Sequence, residues 1–341
     1  MKSLLQVVGD SPTIKHYINP YEYARLVEEA SRAGSIGEPV VRVEGARVVH
    51  SPIRDEYAGD CSSVYCLLHK KYESARYDIE VGGAPGKAVV EVNSGSLFSA
   101  VGLNLVVSSS GLYVLELNLN SKGSLSLSLT VDAEPGSRLL LRVKAGEGLA
   151  SYLRLASGLG CCASERALLV ESSRVLKVEE LVSVDSASLN EKAVVLALGR
   201  SVVDVDVLGR ARGVGPALHV RQLLVSLGES TAAARGTLVA EEGSKEGSLV
   251  YGIEALQLGG LAFMQPRLEV RTNNVAEARH YARNVKLGTE QLFYLASRGL
   301  DPREASMLFV RGLVKEGLSD AALSNTLVEE VLRRVAPHLE A

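Results

Sequence analysis

The first regular pattern along the chain is helical. In NPYEYARLVEEASRAG, Asn19 can cap a helix, Pro20 stands at its first position and Glu22 supplies the acid of a capping box. Apolar residues then recur on one helical face, and Gly34 stands where a helix commonly ends. The pattern predicts an N-terminal helical segment over residues 1–37.

From about residue 38 to about residue 272, apolar side chains recur at every second position. The alternation is clearest in LYVLELNLN at 112–120, GSLSLSLTV at 123–131 and SVVDVDV at 201–207. Period two is typical of β-strands with one buried face, and helical patterns are almost absent here. So many short strands bury their faces only by closing into a sandwich, a barrel or a solenoid.

Two features of this stretch favour the solenoid. The strand patterns continue without the composition break that would separate compact domains. Their apolar side chains are aliphatic and of similar size, which suits stacking in a narrow interior. No strict short repeat is visible, so the coils are expected to be irregular. The sequence therefore predicts a mainly β protein whose core, residues 38–287, is a parallel solenoid.

The pattern turns helical again after Gly288. Thr289 can cap TEQLFYLASRG, and Asp301 with Glu304 forms a capping box that opens a second helix. Ser319 can cap a last helix. The second helix carries an apolar stripe made of Ala305, Leu308, Phe309, Gly312 and Leu313. These signals predict a C-terminal helical module over residues 288–341.

Composition narrows the classes of function. Hydrophobic residues make up 46% of the chain and aromatic residues 5%, so the interior is expected to consist of Val, Leu, Ile and Ala. With 37 Lys and Arg against 40 Asp and Glu, no basic field is present to hold nucleic acid. No apolar run reaches the roughly twenty residues of a membrane helix, and the N-terminus lacks a signal-peptide core. We expect a cytoplasmic protein without nucleic-acid or membrane partners.

The four cysteines indicate reduced thiols. Cys161 and Cys162 are adjacent, which is poor geometry for a disulfide, and the overall spacing matches no secreted framework. Cys61 and Cys66 stand with His69 in a C-x4-C-x2-H pattern that offers soft metal ligands. No second pair completes a zinc site, so the alternative is that these cysteines are small buried hydrophobes.

One segment near the C-terminus carries a specific resemblance. Residues 266–318 contain a P-x-L-E-V strand beginning at Pro266, a turn with Asn274, a short motif around His280, then LFYLASRGL and a helix with E-A-x-x-L. This series resembles the end of the core of the SufB/SufD family of the SUF iron-sulfur cluster assembly system. ARGTLVAEEGS at 234–244 is similar to the family's R-G-x-[IV] strand.

The resemblance implies both a fold and a role. The family fold is a right-handed parallel β-helix flanked by helices, which pairs into a dimer through strands near its end. A SufC ATPase docks on the helical tail, hydrolyses ATP and changes the arrangement of the pair, and a nascent cluster forms at their interface. The resemblance thus implies a non-catalytic scaffold without a tightly bound cofactor, on which an iron-sulfur cluster is transient.

His280 stands at the position of the family's motif histidine, which implies a role at the cluster-building interface. An imidazole can ligate iron. The alternative is a partly exposed loop histidine that only forms hydrogen bonds. SufB-type members carry a Cys about fifteen residues before the proline that matches Pro266, and YGIEALQLGG at 251–260 has none. The chain is therefore more similar to SufD, with a SufB-like subunit or a second copy as its partner.

The helical tail supplies candidates for docking the ATPase. Arg298, Phe309 and Leu313 are of the types that dominate protein contacts. For Phe309 and Leu313 the alternative is packing of the tail against the β body.

Other functions have weaker support. Asp204 and Asp206 lie on one side of a strand, as carboxylates do in polysaccharide-cleaving β-helices, but the ordinary explanation is a solvated outer wall. GGAPGKA at 82–88 resembles a P-loop, yet it is one residue short and has Ala88 in place of Ser or Thr. A third alternative is an adaptor or structural solenoid without a cluster role.

Overall fold

A computed structural model describes residues 17–53, 61–83, 86–146, 148–285, 288–317 and 324–338. Within these residues the chain forms a parallel β-solenoid in which each coil contributes one strand to each of two facing sheets. Two short helices precede most of the coils and three follow them. The described helices are α1 (Pro20–Arg32), α2 (Val64–Tyr72), α3 (Thr289–Ser297), α4 (Pro302–Gly317) and α5 (Ser324–Val335), with a 3₁₀ turn at Ala336–His338.

Each sheet has nine strands in the described part of the chain. The first sheet runs, in pairing order, β17 (Leu261–Val270), β15 (Thr231–Ala240), β13 (Val202–Arg212), β11 (Val175–Asp185), β9 (Ala150–Leu159), β7 (Ser124–Ala133), β5 (Phe98–Val107), β3 (Ala75–Val81) and β2 (Arg47–Ser51). The second runs β1 (Val40–Glu44), β4 (Gly86–Ser94), β6 (Leu112–Ser121), β8 (Arg138–Ala145), β10 (Ala163–Ser172), β12 (Ser188–Ala197), β14 (Ala217–Leu227), β16 (Gly247–Leu258) and β18 (Val275–Val285). The mainly β solenoid predicted from the period-two pattern is thus confirmed.

Aliphatic side chains stack in register from coil to coil. Val101 pairs with Leu127, Leu127 with Leu153 and Leu153 with Val178, all of them in the interior cluster, so a coil here takes 25 or 26 residues. Near the C-terminal end the step lengthens, as with Gly236 and Pro266, 30 residues apart. This variable step, with a different loop after each strand, is why no repeat is visible in the sequence.

Helices cover both outer faces of the solenoid. α1 and α2 pack Tyr23, Val27 and Tyr65 onto the first sheet, where Tyr65 stacks on Tyr152 with ring centroids 5.7 Å apart. α4 and α5 cover the second sheet. Their apolar cluster contains Leu140, Leu169, Val194, Leu223 and Val225 from the strands, and Val310, Val314, Val331 and Val335 from the helices. The helices are therefore outer layers of the same body.

The predicted helix signals are largely confirmed. The Asn19 side chain accepts hydrogen bonds from the backbone N–H groups of Tyr21 and Glu22, and Gly34 follows α1 with φ of +60°. The capping box of α4 is reciprocal, because the Glu304 N–H donates to Asp301 at 2.8 Å and the Asp301 N–H donates to Glu304 at 3.0 Å.

Two helical predictions are wrong, and one helix was not predicted. The cap of α3 is Gly288, and Thr289 is the first helical residue. The Gly288 N–H donates to the Gln291 side chain at 2.8 Å. Leu308 and Gly312 face solvent, since the buried stripe of α4 runs through Ala305, Val310 and Val314. The helix α2 was not predicted from the sequence. Ser319, expected to cap the last helix, lies outside the described residues.

No helix among the described residues is long and apolar enough to cross a membrane.

The interior position of Gly236 gives a test of coil packing. A Cβ added there would overlap the carbonyl oxygen of Val207 and lie 2.9 Å from the Tyr251 hydroxyl. We expect Gly236→Ala to lower the free energy of unfolding by about 1–3 kcal/mol in chemical denaturation, since overpacking a rigid interior forces the backbone to shift. Gly160→Ala is the control, because a Cβ at Gly160 meets nothing within 4 Å. Equal effects of the two substitutions would contradict the register described here.

Candidate functional site

The two ends of the solenoid differ. At the N-terminal end, β1 and β2 are the last strands of the two sheets and run antiparallel to β4 and β3, joined through a turn at Gly45 with φ of +80°. Val41 and Val43 of β1 pack on the interior, whereas β2 is exposed except at Ser51. At the C-terminal end, β17 and β18 are the last strands of the two sheets, so each leaves one edge unpaired among the described residues. Their side chains are exposed or half-buried along the whole of both strands. An unpaired strand edge is a template for pairing with another chain.

His280 lies on β18, at this open end. The strand stands in register with β16, where His280 pairs with Tyr251 and Ala282 with Ile253, both of which face the interior. His280 and Ala282 therefore face the inner side of the last coil. His280 is nevertheless exposed, because none of the described residues forms a further coil above it. The alternative of a loop histidine is wrong in its placement, since the residue belongs to a regular strand.

The neighbours of His280 point the other way. Arg279 pairs with Glu277 at 3.0 Å, and Arg283 pairs with Glu254 at 2.6 Å. The Tyr281 ring lies over Gly252, where a Cβ would overlap it. The two arginines and the tyrosine therefore belong to the outer wall of the second sheet, and the interior-facing side of β18 presents His280 between small side chains.

The C-x4-C-x2-H pattern does not form a metal site. Cys61 and Cys66 are joined by a disulfide with Cα atoms 5.4 Å apart, which corrects the expectation of reduced thiols there and leaves neither sulfur free to bind a metal. His69 is buried, with Nδ1 2.7 Å from the Ser126 hydroxyl and Nε2 3.6 Å from Glu73. Burial lowers the pKa of His69 more than Glu73 raises it, so the ring is held neutral.

Cys161 and Cys162 are free and exposed, in the turn between β9 and β10. In the described part of the chain, no three His, Cys, Asp or Glu side chains are grouped closely enough to hold a metal ion.

Asp204 and Asp206 do share one side of β13, and Val203, Val205 and Val207 fill the interior side, as the sequence predicted. The outer wall at this point is not simply solvated, however, because Asp204 is fully buried under the N-terminal helices.

Arg235 bonds both carboxylates, at 3.1 Å to Asp204 and 3.0 Å to Asp206, and Lys177 lies 3.5 Å from Asp204. Burial alone would raise the pKa of Asp206, but Lys177 and Arg235 outweigh it and hold the pKa below its ordinary value. Glycoside hydrolysis needs one carboxyl that keeps its proton, and the lowered pKa of Asp206 does not fit that need.

The predicted docking residues fall into two groups. Arg298 ends α3 and is exposed, with its guanidinium 5.4 Å from the centre of the Tyr294 ring. Phe309 and Leu313 are half-buried and pack against the second sheet's outer cluster, as the packing alternative holds. Sequence reasoning missed the most exposed apolar side chains of the tail, which are Phe293, Tyr294 and Leu308, at 77%, 57% and 52% exposure.

Comparison with known proteins defines the class of this solenoid. Residues 176–313, which run from β11 to α4, match the model of the SUF system FeS cluster assembly SufBD core domain. Relatives described as iron-sulfur cluster assembly SufBD family proteins are found in several organisms. The Pyrococcus horikoshii protein is 40% identical over 98 residues, covering 28% of this chain and 21% of the relative, and the Archaeoglobus fulgidus protein is 32% identical over 145 residues, covering 42% and 37%.

These matches confirm the resemblance found in the sequence. The similarity to the SufBD family lies in a core domain over residues 176–313. The aligned stretches span about a fifth and just over a third of those two relatives' own lengths. The open end with His280 lies inside the matched core domain.

Proposed function

We propose that this protein is a SufD-like, non-catalytic scaffold subunit that takes part in iron-sulfur cluster assembly. The observation that carries the proposal is the open end of the solenoid, where β17 and β18 each have one edge that no described strand pairs, and β18 presents an exposed, inward-facing His280. The match to the SufBD core domain and the relatives described as iron-sulfur cluster assembly proteins support a role in this assembly. The absence of Cys from residues 251–260 favours the SufD-like role over a thiolate-bearing one.

Pairing follows from the physics of the open end. Ala262, Met264, Leu268 and Val275 pack on the interior core yet keep part of their surface exposed. A second solenoid end, from a SufB-like subunit or another copy of this chain, would bury that apolar surface and pair the free edges. His280 would then lie at the interface, next to ligands from the partner. The cluster is the cargo of such a site, held only in transit.

The exposed aromatic residues of the tail support docking of a SufC-like ATPase. None of the residues of α3 is buried, and Phe293 and Tyr294 extend from it into solvent. Large exposed apolar side chains rimmed by polar ones mark interaction surfaces, and aromatic residues with Arg dominate their energetics. Arg298, next to Tyr294, extends this surface, whereas Phe309 and Leu313 mainly secure the tail to the second sheet.

A negative charge introduced at the open end tests whether the protein pairs through it. Ala282→Asp places a carboxylate on the inner side of the last coil, where a paired end would have to desolvate it. We expect the variant to be monomeric by light scattering under conditions where the unmodified protein, alone or with a SufB-like chain, is dimeric. Ala163→Asp is the control, because Ala163 is exposed at the start of β10, away from the open end. An Ala282→Asp protein that still dimerises would exclude this end as the interface.

ATPase docking is tested on α3. The double variant Phe293→Ala with Tyr294→Ala should weaken binding of a SufC-like ATPase at least tenfold in a titration, since each truncated anchor of this kind typically costs more than about 1 kcal/mol. Its melting temperature should stay unchanged, because both side chains are exposed. Leu149→Ala, at a 42% exposed residue of the solenoid, serves as the control and should bind normally. Unaltered binding by the double variant would place the ATPase elsewhere.

The role of His280 is tested in the assembled complex. With the ATPase and partner present, anaerobic iron and sulfide reconstitution should load less cluster on His280→Ala, because an iron ligand is lost. Unfolding should be unaffected, since the imidazole is exposed. Arg279→Ala changes the adjacent residue on the opposite face of β18 and should load normally. Full loading of His280→Ala would favour the adaptor alternative, in which the solenoid has no cluster role.

A further inference from the structure

Charged side chains occur inside the solenoid, among the aliphatic rows. Arg166 on β10, Glu180 on β11 and Glu191 on β12 are at most 5% exposed. Glu180 stands in register between Leu155 and Val207, both members of the interior cluster, and Glu191 stands in register with Arg166 and Val220. The three charges therefore face one another across the narrow space between the two sheets.

Arg166 binds both carboxylates at once. Its guanidinium bonds Glu191 and Glu180, and its remaining Nη1 donates to the Ser157 hydroxyl at 2.8 Å. Arginine is suited to such a clamp, because it offers five donors in a fixed plane and stays charged. One cation nevertheless faces two carboxyl groups.

Among the residues that the structure describes, the surroundings supply no second cation. The other titratable side chain that faces the pair is Tyr251 on β16, whose hydroxyl donates to the Gln222 amide oxygen on β14 at 3.1 Å. Strands β9 and β13 present Leu155 and Val207. The other buried cations of these coils lie on outer faces of the sheets or, for Arg174, in the turn before β11; they are Arg142, Arg154, Arg174, Lys177 and Arg235.

Two carboxylate oxygens lack a partner. Glu180 Oε2 and Glu191 Oε1 are fully buried and accept no hydrogen bond from any described residue. An uncompensated negative charge in such a place is costly, and the usual resolution is that one carboxyl keeps a proton. Burial, together with the neighbouring Glu191 carboxylate, raises the pKa of Glu180 well above its ordinary value, which is consistent with this resolution.

We propose that the solenoid interior contains a proton-binding site, in which Arg166 holds Glu180 and Glu191 around one shared proton. A protonated carboxyl donates where an ionised one can only accept, so it converts an orphaned oxygen into a hydrogen-bond donor and leaves the group of three side chains neutral. The proton is part of the native structure and is bound again whenever the chain folds.

A small cavity reaches one side of the site. A cavity of about 30 Å³ reaches Arg166 and is also lined by the hydroxyl-bearing side chains Ser137, Ser157 and Ser164. That volume is enough for a water molecule with several polar partners. On the other side, Tyr251 stands in register between Val220 and His280, so the polar group borders the inner side of the open end.

Infrared difference spectroscopy of the whole protein at neutral pH tests the proposal. We expect a C=O stretching band of a protonated carboxyl group, shifted in D₂O, in the unmodified protein. The band should be absent from Glu180→Gln and from Glu191→Gln, since each leaves one carboxylate paired with Arg166. Glu179→Gln is the matched control: this neighbouring residue faces outward, accepts from the Tyr152 hydroxyl at 2.8 Å and should leave the band intact. An unmodified protein without the band, or a band that persists in both interior variants, would overturn the proposal.

The pH dependence of unfolding is a second measurement. It can be made on the unmodified protein first and then on the variants. Because the pKa of Glu180 is raised in the folded state, its stabilisation is complete below the ordinary pKa of a glutamate and is lost as the pH rises through the folded value. One proton makes the unfolding constant rise by up to about tenfold per pH unit in that window. The slope should be smaller in Glu180→Gln and unchanged in Glu179→Gln; equal slopes in all three proteins would refute the site.

Discussion

Each coil of this protein is held by the coil beneath it, because a single rung of two strands cannot bury its own apolar face. The interior rows of side chains extend this contact from each coil to the next along the solenoid. Val101, Leu127, Leu153 and Val178 form one such row, with each side chain packed on the next at the spacing of neighbouring strands. The stack must therefore be closed at both ends. At the first end Val41 and Val43 of the antiparallel strand β1 cover part of the interior, and the last end depends on what the strands β17 and β18 meet.

The helices cover the outer faces of both sheets. Parallel sheets are usually covered on both faces, and here α1 with α2 covers one sheet while α4 with α5 covers the other. An ion pair secures one of these layers, because Arg334 of α5 lies 3.5 Å from Glu171, which Arg142 also binds at 3.1 Å. α3 is the exception. None of its residues is buried, so its aromatic side chains are free to serve a partner rather than the fold.

Local rules predicted those parts of the structure that local contacts decide. The cap at Asn19 and the reciprocal box of Asp301 and Glu304 depend on residues three positions apart, and both are present. α2 was missed because its burial depends on a distant sheet, with His69 bonded to Ser126 and Ser63 to Glu179. The orientation of His280 depends on its register with Tyr251, 29 residues earlier, which no local pattern encodes. Glu180 could have been found, because in VLKVEELV it occupies an alternate position otherwise taken by Leu and Val.

Glu180 also bears on how the register is specified. Rows of similar aliphatic side chains discriminate weakly against a coil that slides by two residues, because such a slide keeps every side chain on its own face. A buried charge discriminates strongly. Sliding β11 by two residues would carry Glu180 away from Arg166, which stays paired with Glu191. The Glu180 carboxyl group would then be buried without a partner, a loss of about 1–3 kcal/mol for an unsatisfied buried polar group. Gly236, which admits the Val207 carbonyl and the Tyr251 hydroxyl, adds a steric condition two coils further on. The polar group inside the rod thus fixes the alignment that the aliphatic rows alone leave open, and with it the place of His280 on the last coil.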